Sequence, residues 1–332
     1  MKRAFVLVGI IAAGAVAMVA AQQAPAGRGG GGGGQGGGRG GGPAPPIQLQ
    51  IERVRPNIYQ IPIFNQSVAP GATTTVFITQ NNGVVIVDTK NPGSGQAIID
   101  IVKKVTDKPI TTIINTHTHN DHVGGNLAFD EKVNIVTQEN TAGYMKKLDQ
   151  FKDGKPENMK GLPDKTFKDK MTLFEGTPDA IDLYFFGPAH TGGDAFVVFR
   201  AARVMAAGDV DPATGTPIID PDNGGSGLLW GQTIAKAAAG IKNVDVLTRG
   251  HTSQTDNWAQ FIEYGQYMQA YADATRKAKK DGKTLEEAIA EVPTTMGAKF
   301  KDYFAGLSGR NPGTKANVTM MWAELDKEAP KK

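Results

Sequence analysis

Short apolar runs alternate along the chain with segments of helical periodicity. The run Gly83–Thr89 (GVVIVDT) is brief and its apolar part stops at Asp88, which is typical of a buried strand. In Gly95–Asp107, apolar residues recur instead at helical spacing. The same reading predicts further strands at Asn57–Phe64, Thr73–Thr79, Thr111–Asn115, Val133–Thr137, Ile181–Phe186, Ala195–Phe199, Val204–Ala206 and Val244–Leu247.

Predicted helices lie between the later strands and dominate the end of the chain. They cover Gln138–Phe151, Leu228–Ala239, Trp258–Lys280, Leu285–Val292 and Lys315–Glu328. Strands interspersed with helices favour a layered α/β architecture, in which two sheets pack together with helices outside. The change of character after His251 predicts a C-terminal helical extension over residues 256–332. These helices are compatible with capping the core or with forming a dimer interface.

The first 46 residues differ from the rest. Lys2 and Arg3 precede an apolar stretch, Ala4–Ala21, that ends in small residues before Gln22. This layout predicts a secretory signal peptide over residues 1–21, and hence a periplasmic or secreted protein with no stable membrane span after cleavage. The alternative is an uncleaved membrane anchor, because the apolar run approaches the length needed to span a bilayer. Residues 22–46, which include 13 glycines within Gly27–Gly42, are predicted to form a disordered linker.

Charge and cysteine content restrict the choice of partners and ligands. Residues 1–43 contain four basic residues and no acid, which leaves 32 bases against 33 acids in the rest of the chain. This nearly neutral body argues against nucleic acid as a partner. The chain has no cysteine, so any metal must be held by histidine and carboxylate side chains.

The densest group of candidate ligands follows the predicted strand Thr111–Asn115. It is a His-x-His-x-Asp-His motif formed by His117, His119, Asp121 and His122. Alternate residues of extended backbone point the same way, so His117 and His119 can reach one metal together. Asp121 and His122 fall on the next bend and can face a second metal. Gly124 and Gly125 are expected to let the backbone turn tightly beside them.

The other histidines and two aspartates also stand where predicted strands end. His190 and His251 each follow a strand, Asp209 ends one in Met205–Asp209, and Asp88 ends another. In order and spacing, these blocks resemble the metallo-β-lactamase superfamily over about Ile47 to His251. The resemblance implies a four-layer αββα sandwich, with residues 47–255 as the catalytic domain.

The resemblance also implies a ligand set and a reaction. His117, His119 and His190 would hold one zinc ion, Asp121, His122 and His251 a second, and Asp209 would bridge them. Asp121 would also act catalytically by orienting the nucleophile, whereas Asp88 is predicted to support the ligands without binding metal. The expected enzyme is a metal-dependent hydrolase of a small molecule. Its metal-bridging hydroxide would attack an ester, thioester, lactone or lactam-type bond. Iron and manganese remain open as alternatives to zinc.

Two alternative functions belong to the same superfamily. One is a β-lactamase proper, although the known β-lactam hydrolysers usually carry Cys or Ser where Asp209 stands. The other is an oxidoreductase similar to the persulfide dioxygenases, which share the histidine motif but use a single iron. No substrate-binding residue is identified. We expect specificity to lie in the loop Asn65–Ala72 and the insertion Thr216–Trp230, since substrate contacts concentrate on loops. Lys146–Lys170 is interpreted as a solvated loop near the site.

Overall fold

The computed structural model describes residues 47–63, 71–213, 215, 217–300, 303 and 313–328. The predicted signal peptide (1–21) and linker (22–46) lie outside these residues, as does most of the loop Asn65–Ala72. Among the described helices, none combines the length and the apolar character that crossing a bilayer requires.

The first sheet has seven strands, which lie side by side in the order of the sequence. Strands β1 to β4 pair antiparallel, and β4 to β7 pair parallel. The strands are β1 (Glu52–Arg55), β2 (Ile58–Ile61), β3 (Thr74–Ile78), β4 (Val84–Val87), β5 (Ile110–Ile114), β6 (Asn134–Gln138) and β7 (Lys165–Phe167).

The second sheet has five strands in the order β12-β11-β10-β9-β8. Its pairs are antiparallel except for β11 and β12, which run parallel. The strands are β8 (Lys170–Leu173), β9 (Ile181–Tyr184), β10 (Phe196–Phe199), β11 (Val204–Ala206) and β12 (Val246–Thr248).

Eight α-helices whose bounds both fall within the described residues connect or follow these strands. They are α1 (Gly95–Val102), α2 (Asn120–Val123), α3 (Glu139–Met145), α4 (Pro156–Met159), α5 (Gly227–Gly240), α6 (Trp258–Lys280), α7 (Leu285–Thr295) and α8 (Gly313–Glu328). Short 3₁₀ helices occupy Asn126–Ala128, Gly208–Val210, Pro221–Asn223 and Ala298–Phe300.

The alternation of side chains along β4 explains how the layers form. Successive residues of a strand face opposite sides of its sheet. Val85 and Val87 therefore pack in a cluster shared with the second sheet, whereas Val84 and Ile86 pack against α1. All four are buried, so β4 contacts an apolar layer on each side.

The second sheet divides its side chains in the same way. Val197 and Phe199 of β10 face the first sheet, and Phe196 and Val198 join a cluster with residues of α5 and α6. The order of layers is therefore helix, sheet, sheet, helix. This confirms the predicted four-layer αββα sandwich and the C-terminal helices that extend it.

Two polar strands were not predicted from the sequence, and one segment was predicted wrongly. The strand β1 (sequence ERVR) is exposed or half-buried, and β8 (KMTL) is similar, so neither shows an apolar run. Helix α3 ends at Met145, six residues before the predicted end. The interpretation of Lys146–Lys170 as a solvated loop was wrong, because the segment contains α4 and β7 and buries Phe151, Leu162 and Phe167.

Gly124 and Gly125 are required for a reason other than the predicted one. Gly124 adopts a φ of −64° and Gly125 a φ of −80°, which any residue can adopt. A Cβ at Gly125, however, would lie 2.1 Å from the carbonyl oxygen of Thr89, and one at Gly124 would lie 2.4 Å from that of Asn120. These glycines therefore provide space for close backbone packing under the histidine motif.

We predict that Gly125→Ala lowers the free energy of unfolding by about 1–3 kcal/mol, because the added methyl group must displace backbone. Gly143→Ala is the matched control. Gly143 lies in α3 with no atom within 4 Å of an added Cβ, so this substitution should be neutral or stabilise the protein by up to about 1 kcal/mol. Denaturant unfolding of both variants tests the prediction. Equal stabilities would contradict it.

Candidate metal centre

The candidate ligands lie where strands of both sheets end. The strand β5 ends at Ile114, and the chain then passes His117 and His119 before entering α2. From the second sheet, β11 leads to Asp209, β12 leads to His251, and the connection from β9 to β10 carries His190. Both sheets therefore deliver their candidate ligands to one edge of the sandwich.

The structure brings all seven predicted side chains together in two groups. Within each group, the candidate ligand atoms lie within 4.8 Å of one another. Asp209 faces both groups, since its Oδ2 lies 3.5 Å from Nε2 of His190 and 3.0 Å from Nε2 of His251. The first group is His117, His119, His190 and Asp209, and the second is Asp121, His122 and His251.

Several buried atoms at the meeting point lack hydrogen bonds. These are Nε2 of His117, Nε2 of His122 and Oδ1 of Asp209, none of which has a partner among the described residues. Nε2 of His122 and Oδ1 of Asp209 approach to 3.3 Å without hydrogen-bond geometry. Buried polar atoms normally have partners, and a cation accepts lone pairs from nitrogen and oxygen together. The donor set therefore fits a metal.

Asp88 determines which ring nitrogen of His117 and of His122 faces the candidate metal site. Its Oδ2 accepts a hydrogen bond from Nδ1 of His122 at 2.7 Å and another from Oγ1 of Thr116 at 2.7 Å. Because the Thr116 hydroxyl donates to Asp88, it accepts from Nδ1 of His117 at 3.1 Å. In both rings, Nε2 is therefore the nitrogen directed into the site, which is how carboxylates orient metal-binding histidines.

The other two histidines of the first group are held from the segment that precedes α5. Nε2 of His119 donates to Oδ2 of Asp220 at 2.6 Å, so its Nδ1 faces Nε2 of His190 at 2.9 Å. Nδ1 of His190 donates to the carbonyl oxygen of Ile218 at 2.7 Å. Each ring therefore offers one nitrogen to the site and uses the other to hold its orientation.

Protonation in the first group suits metal binding. Burial lowers the pKa of His190 to about 4, and burial together with the adjacent His122 and His190 lowers that of His117 well below its usual value. Burial opposes ionisation of Asp209, but His251 and His122 outweigh it and hold the pKa of Asp209 well below its usual range. Neutral imidazole and ionised carboxylate are the ligand forms that metals require.

The protonation of His122 differs from that of the first group. Burial opposes its protonation, but the carboxylates of Asp209 and Asp88 outweigh burial and raise its pKa well above the usual value. A metal ion entering the second group would therefore have to displace a proton from this ring.

The comparisons with known proteins agree with this geometry. The family model of the metallo-beta-lactamase superfamily matches residues 68–265. The chain belongs to the metallo-beta-lactamase superfamily. Its fold and family make it a metal-dependent hydrolase.

Individual relatives are distant. A metallo-beta-lactamase type 2 of Elizabethkingia meningoseptica is 24% identical over 224 residues, which are 64% of this chain and 82% of that protein. A metallo-beta-lactamase from Pontibacter korlensis is 19% identical with a TM-score of 0.55, over 67% of this chain and 99% of its own. The metallo-beta-lactamase FIM-1 from Pseudomonas aeruginosa, in its mono-zinc form, is 14% identical with a TM-score of 0.55, over 68% of this chain and 96% of its own.

Asp220 and Arg249 are the residues of this region that sequence reasoning missed. Asp220 lies in the insertion Thr216–Trp230. Its contact with His119 was not apparent from the sequence because the two residues are 101 positions apart. The guanidinium of Arg249 is buried between Asp211 and Asp256, at 2.9 and 3.1 Å. It thereby ties the loop that carries Asp209 to the one that carries His251. The only indication in the sequence was an arginine two residues before the last histidine of the motif.

We predict that Asp220→Ala weakens metal binding by the first group about 10–100-fold, since His119 loses the carboxylate that orients it. Asp222→Ala is the control, because Asp222 is an exposed acid of the same segment. Zinc competition with a chromophoric chelator measures both variants. An unchanged affinity in Asp220→Ala would show that the contact does not orient His119.

Proposed function

We propose that the protein is a binuclear zinc hydrolase that cleaves an ester, thioester, lactone or lactam-type bond in a small molecule. The observation that carries this proposal is the convergence of five imidazoles and two carboxylates in two adjoining groups, with buried ligand atoms that lack other partners. Leaving such atoms buried and unpaired costs free energy, and a bound cation would satisfy all of them together.

The ligand assignment follows the two groups. His117, His119 and His190 would hold one zinc ion, and Asp121, His122 and His251 the other. Asp209 faces both groups and would bridge the pair. Zinc suits this site because it accepts imidazole and carboxylate ligands without redox chemistry, and the chain has no cysteine to offer.

The exposed side of the site indicates where a substrate would enter. The side chains of His119, Asp121 and His251 are 27%, 31% and 29% exposed, whereas those of His117, His122 and His190 are almost completely buried. The substrate would therefore approach between His119 and His251, above Asp121.

When bound, two zinc ions would lower the pKa of a shared water molecule and polarise the carbonyl oxygen of the substrate. The protein's own contribution is position and charge. The carboxylate of Asp121 lies on the open side, where it can accept a hydrogen bond from the attacking water and aim it at the carbonyl. Asp88, Thr116 and Asp220 hold three of the imidazoles in fixed orientations, so the ligands need not reorganise during the reaction.

A β-lactamase is the second candidate, since the relatives in the comparisons are named metallo-beta-lactamases. We rank it below the general hydrolase because a carboxylate, Asp209, stands at the position between the two groups. An iron-dependent oxidoreductase is distinguished by metal content, because it would hold about one iron and consume oxygen.

We predict that His119→Ala lowers hydrolysis by at least about 100-fold and reduces bound zinc, since a direct ligand should cost at least as much as an orienting residue. The measurement is turnover of ester, thioester, lactone, β-lactam and phosphodiester substrates by zinc-reconstituted protein, with metal content by mass spectrometry. Asp149→Ala, on a side chain that is 88% exposed, is the control and should match wild type. Wild-type turnover in His119→Ala would place the activity elsewhere. A wild-type protein with two zinc ions that fails on every substrate class would contradict the proposed reaction.

A further inference from the structure

Helix α8 begins 48 residues beyond the end of the family match, which is residue 265. It packs on α5, α6 and α7. One of its faces also contacts the segment Pro217–Gly227, which connects the second sheet to α5 and carries Asp220. Two side chains of α8 hold this segment by hydrogen bonds.

The first anchor is Asn317, near the start of α8. Its side chain is completely buried, and its Nδ2 donates a hydrogen bond of 2.6 Å to the carbonyl oxygen of Pro217. Pro217 is itself buried, so removal of the amide would leave this carbonyl without its partner. An unpaired buried acceptor is costly, and the segment would have to move to satisfy it.

The second anchor is Glu324, two turns further along α8. Its Oε2 accepts a hydrogen bond of 2.5 Å from Oγ of Ser226, and its Oε1 accepts one of 2.9 Å from the backbone nitrogen of Gly227. Met321 packs between the two anchors, so closely that a Cβ at Gly227 would lie 2.6 Å from its Cγ. Helix α8 thus forms hydrogen bonds with both ends of the segment Pro217–Gly227.

Between the anchors, the segment reaches two histidines of the first group. The carboxylate of Asp220 accepts from His119, and the carbonyl oxygen of Ile218 accepts from His190. The backbone nitrogen of Asp220 also donates to the carbonyl oxygen of His190 at 3.0 Å. The positions of both imidazoles therefore depend on where this segment lies.

We propose that α8 is a positioning element of the first metal group, in which Asn317 and Glu324 set the orientation of His190 and His119 through the segment Pro217–Gly227. This inference rests on the proposed metal site. Neither residue touches the reacting atoms. Each acts through the hydrogen bonds that Ile218 and Asp220 make to the imidazoles.

The test measures the two stepwise zinc affinities of the full-length protein by competition with a chromophoric chelator. His119→Ala and His251→Ala serve as references that assign each step to a group. For Glu324→Ala and Asn317→Ala, we expect the dissociation constant of the first group to rise about 3–10-fold. This is less than the loss for a residue in direct contact with a ligand. The zinc dissociation constant of the second group should change by less than about twofold.

Three matched variants distinguish a role of α8 in orienting the imidazoles from a role in stabilising the fold as a whole. Glu324→Gln keeps an acceptor for Gly227 and a partner for Ser226, so it should restore wild-type affinity. Asp326→Asn removes the ion pair of the same helix with Lys279 on α6 and should leave both affinities unchanged. In an Asp220→Ala background, Glu324→Ala should lose at least about half of its effect, because both act through His119.

The inference is overturned if zinc affinity is unchanged in both anchor variants, if both groups weaken equally, or if the effect of Glu324→Ala persists in full without Asp220. Should Glu324→Ala fail to fold, Asn317→Ala makes the same comparison from the other anchor. A wild-type protein that binds no zinc pair would instead contradict the proposed function, and would be recognised before any variant is compared.

Discussion

The structure depends most on a group of buried imidazole nitrogens and a carboxylate oxygen that face one another without hydrogen bonds, an arrangement that a cation satisfies. In this protein, Nε2 of His117, Nε2 of His122 and Oδ1 of Asp209 meet with no hydrogen-bond partner among the described residues. Each buried unpaired polar atom costs about 1–3 kcal/mol, and a whole domain is stable by only about 5–15 kcal/mol. Metal binding at this edge is therefore coupled to the stability of the sandwich as well as to its chemistry.

The surrounding structure keeps these atoms in place. Strands of both sheets end at the same edge. The loops that carry the ligands are held there by hydrogen bonds and ion pairs from charged side chains outside the ligand set. Asp88 holds His122 directly and His117 through Thr116, Asp220 holds His119, and Arg249 joins the loops that carry Asp209 and His251. Four of the five imidazoles, those of His117, His119, His122 and His190, have the outer nitrogen already hydrogen-bonded, so these rings cannot rotate without losing that bond. The site is thereby organised before a metal arrives.

Much of this was accessible from the sequence, because the decisive pattern is local. The four residues His117, His119, Asp121 and His122 lie within six positions, and β4 and β10 are apolar on both faces, so their burial between layers is apparent. The contact of Asp220 with His119 was not accessible, since it joins residues 101 positions apart. Similarly, β1 pairs at the edge of its sheet with exposed polar side chains and gives no apolar run. Long-range pairing and edge strands depend on the assembled fold, which single-residue patterns do not encode.

Crystals of the zinc-loaded protein, with anomalous diffraction recorded at the zinc absorption edge, test the central claim most directly. The account predicts two peaks. One should lie about 2.0–2.1 Å from nitrogens of His117, His119 and His190, and the other at similar distances from His122 and His251, with Asp209 reaching both. A single peak, or zinc bound elsewhere while these side chains hold none, would contradict it.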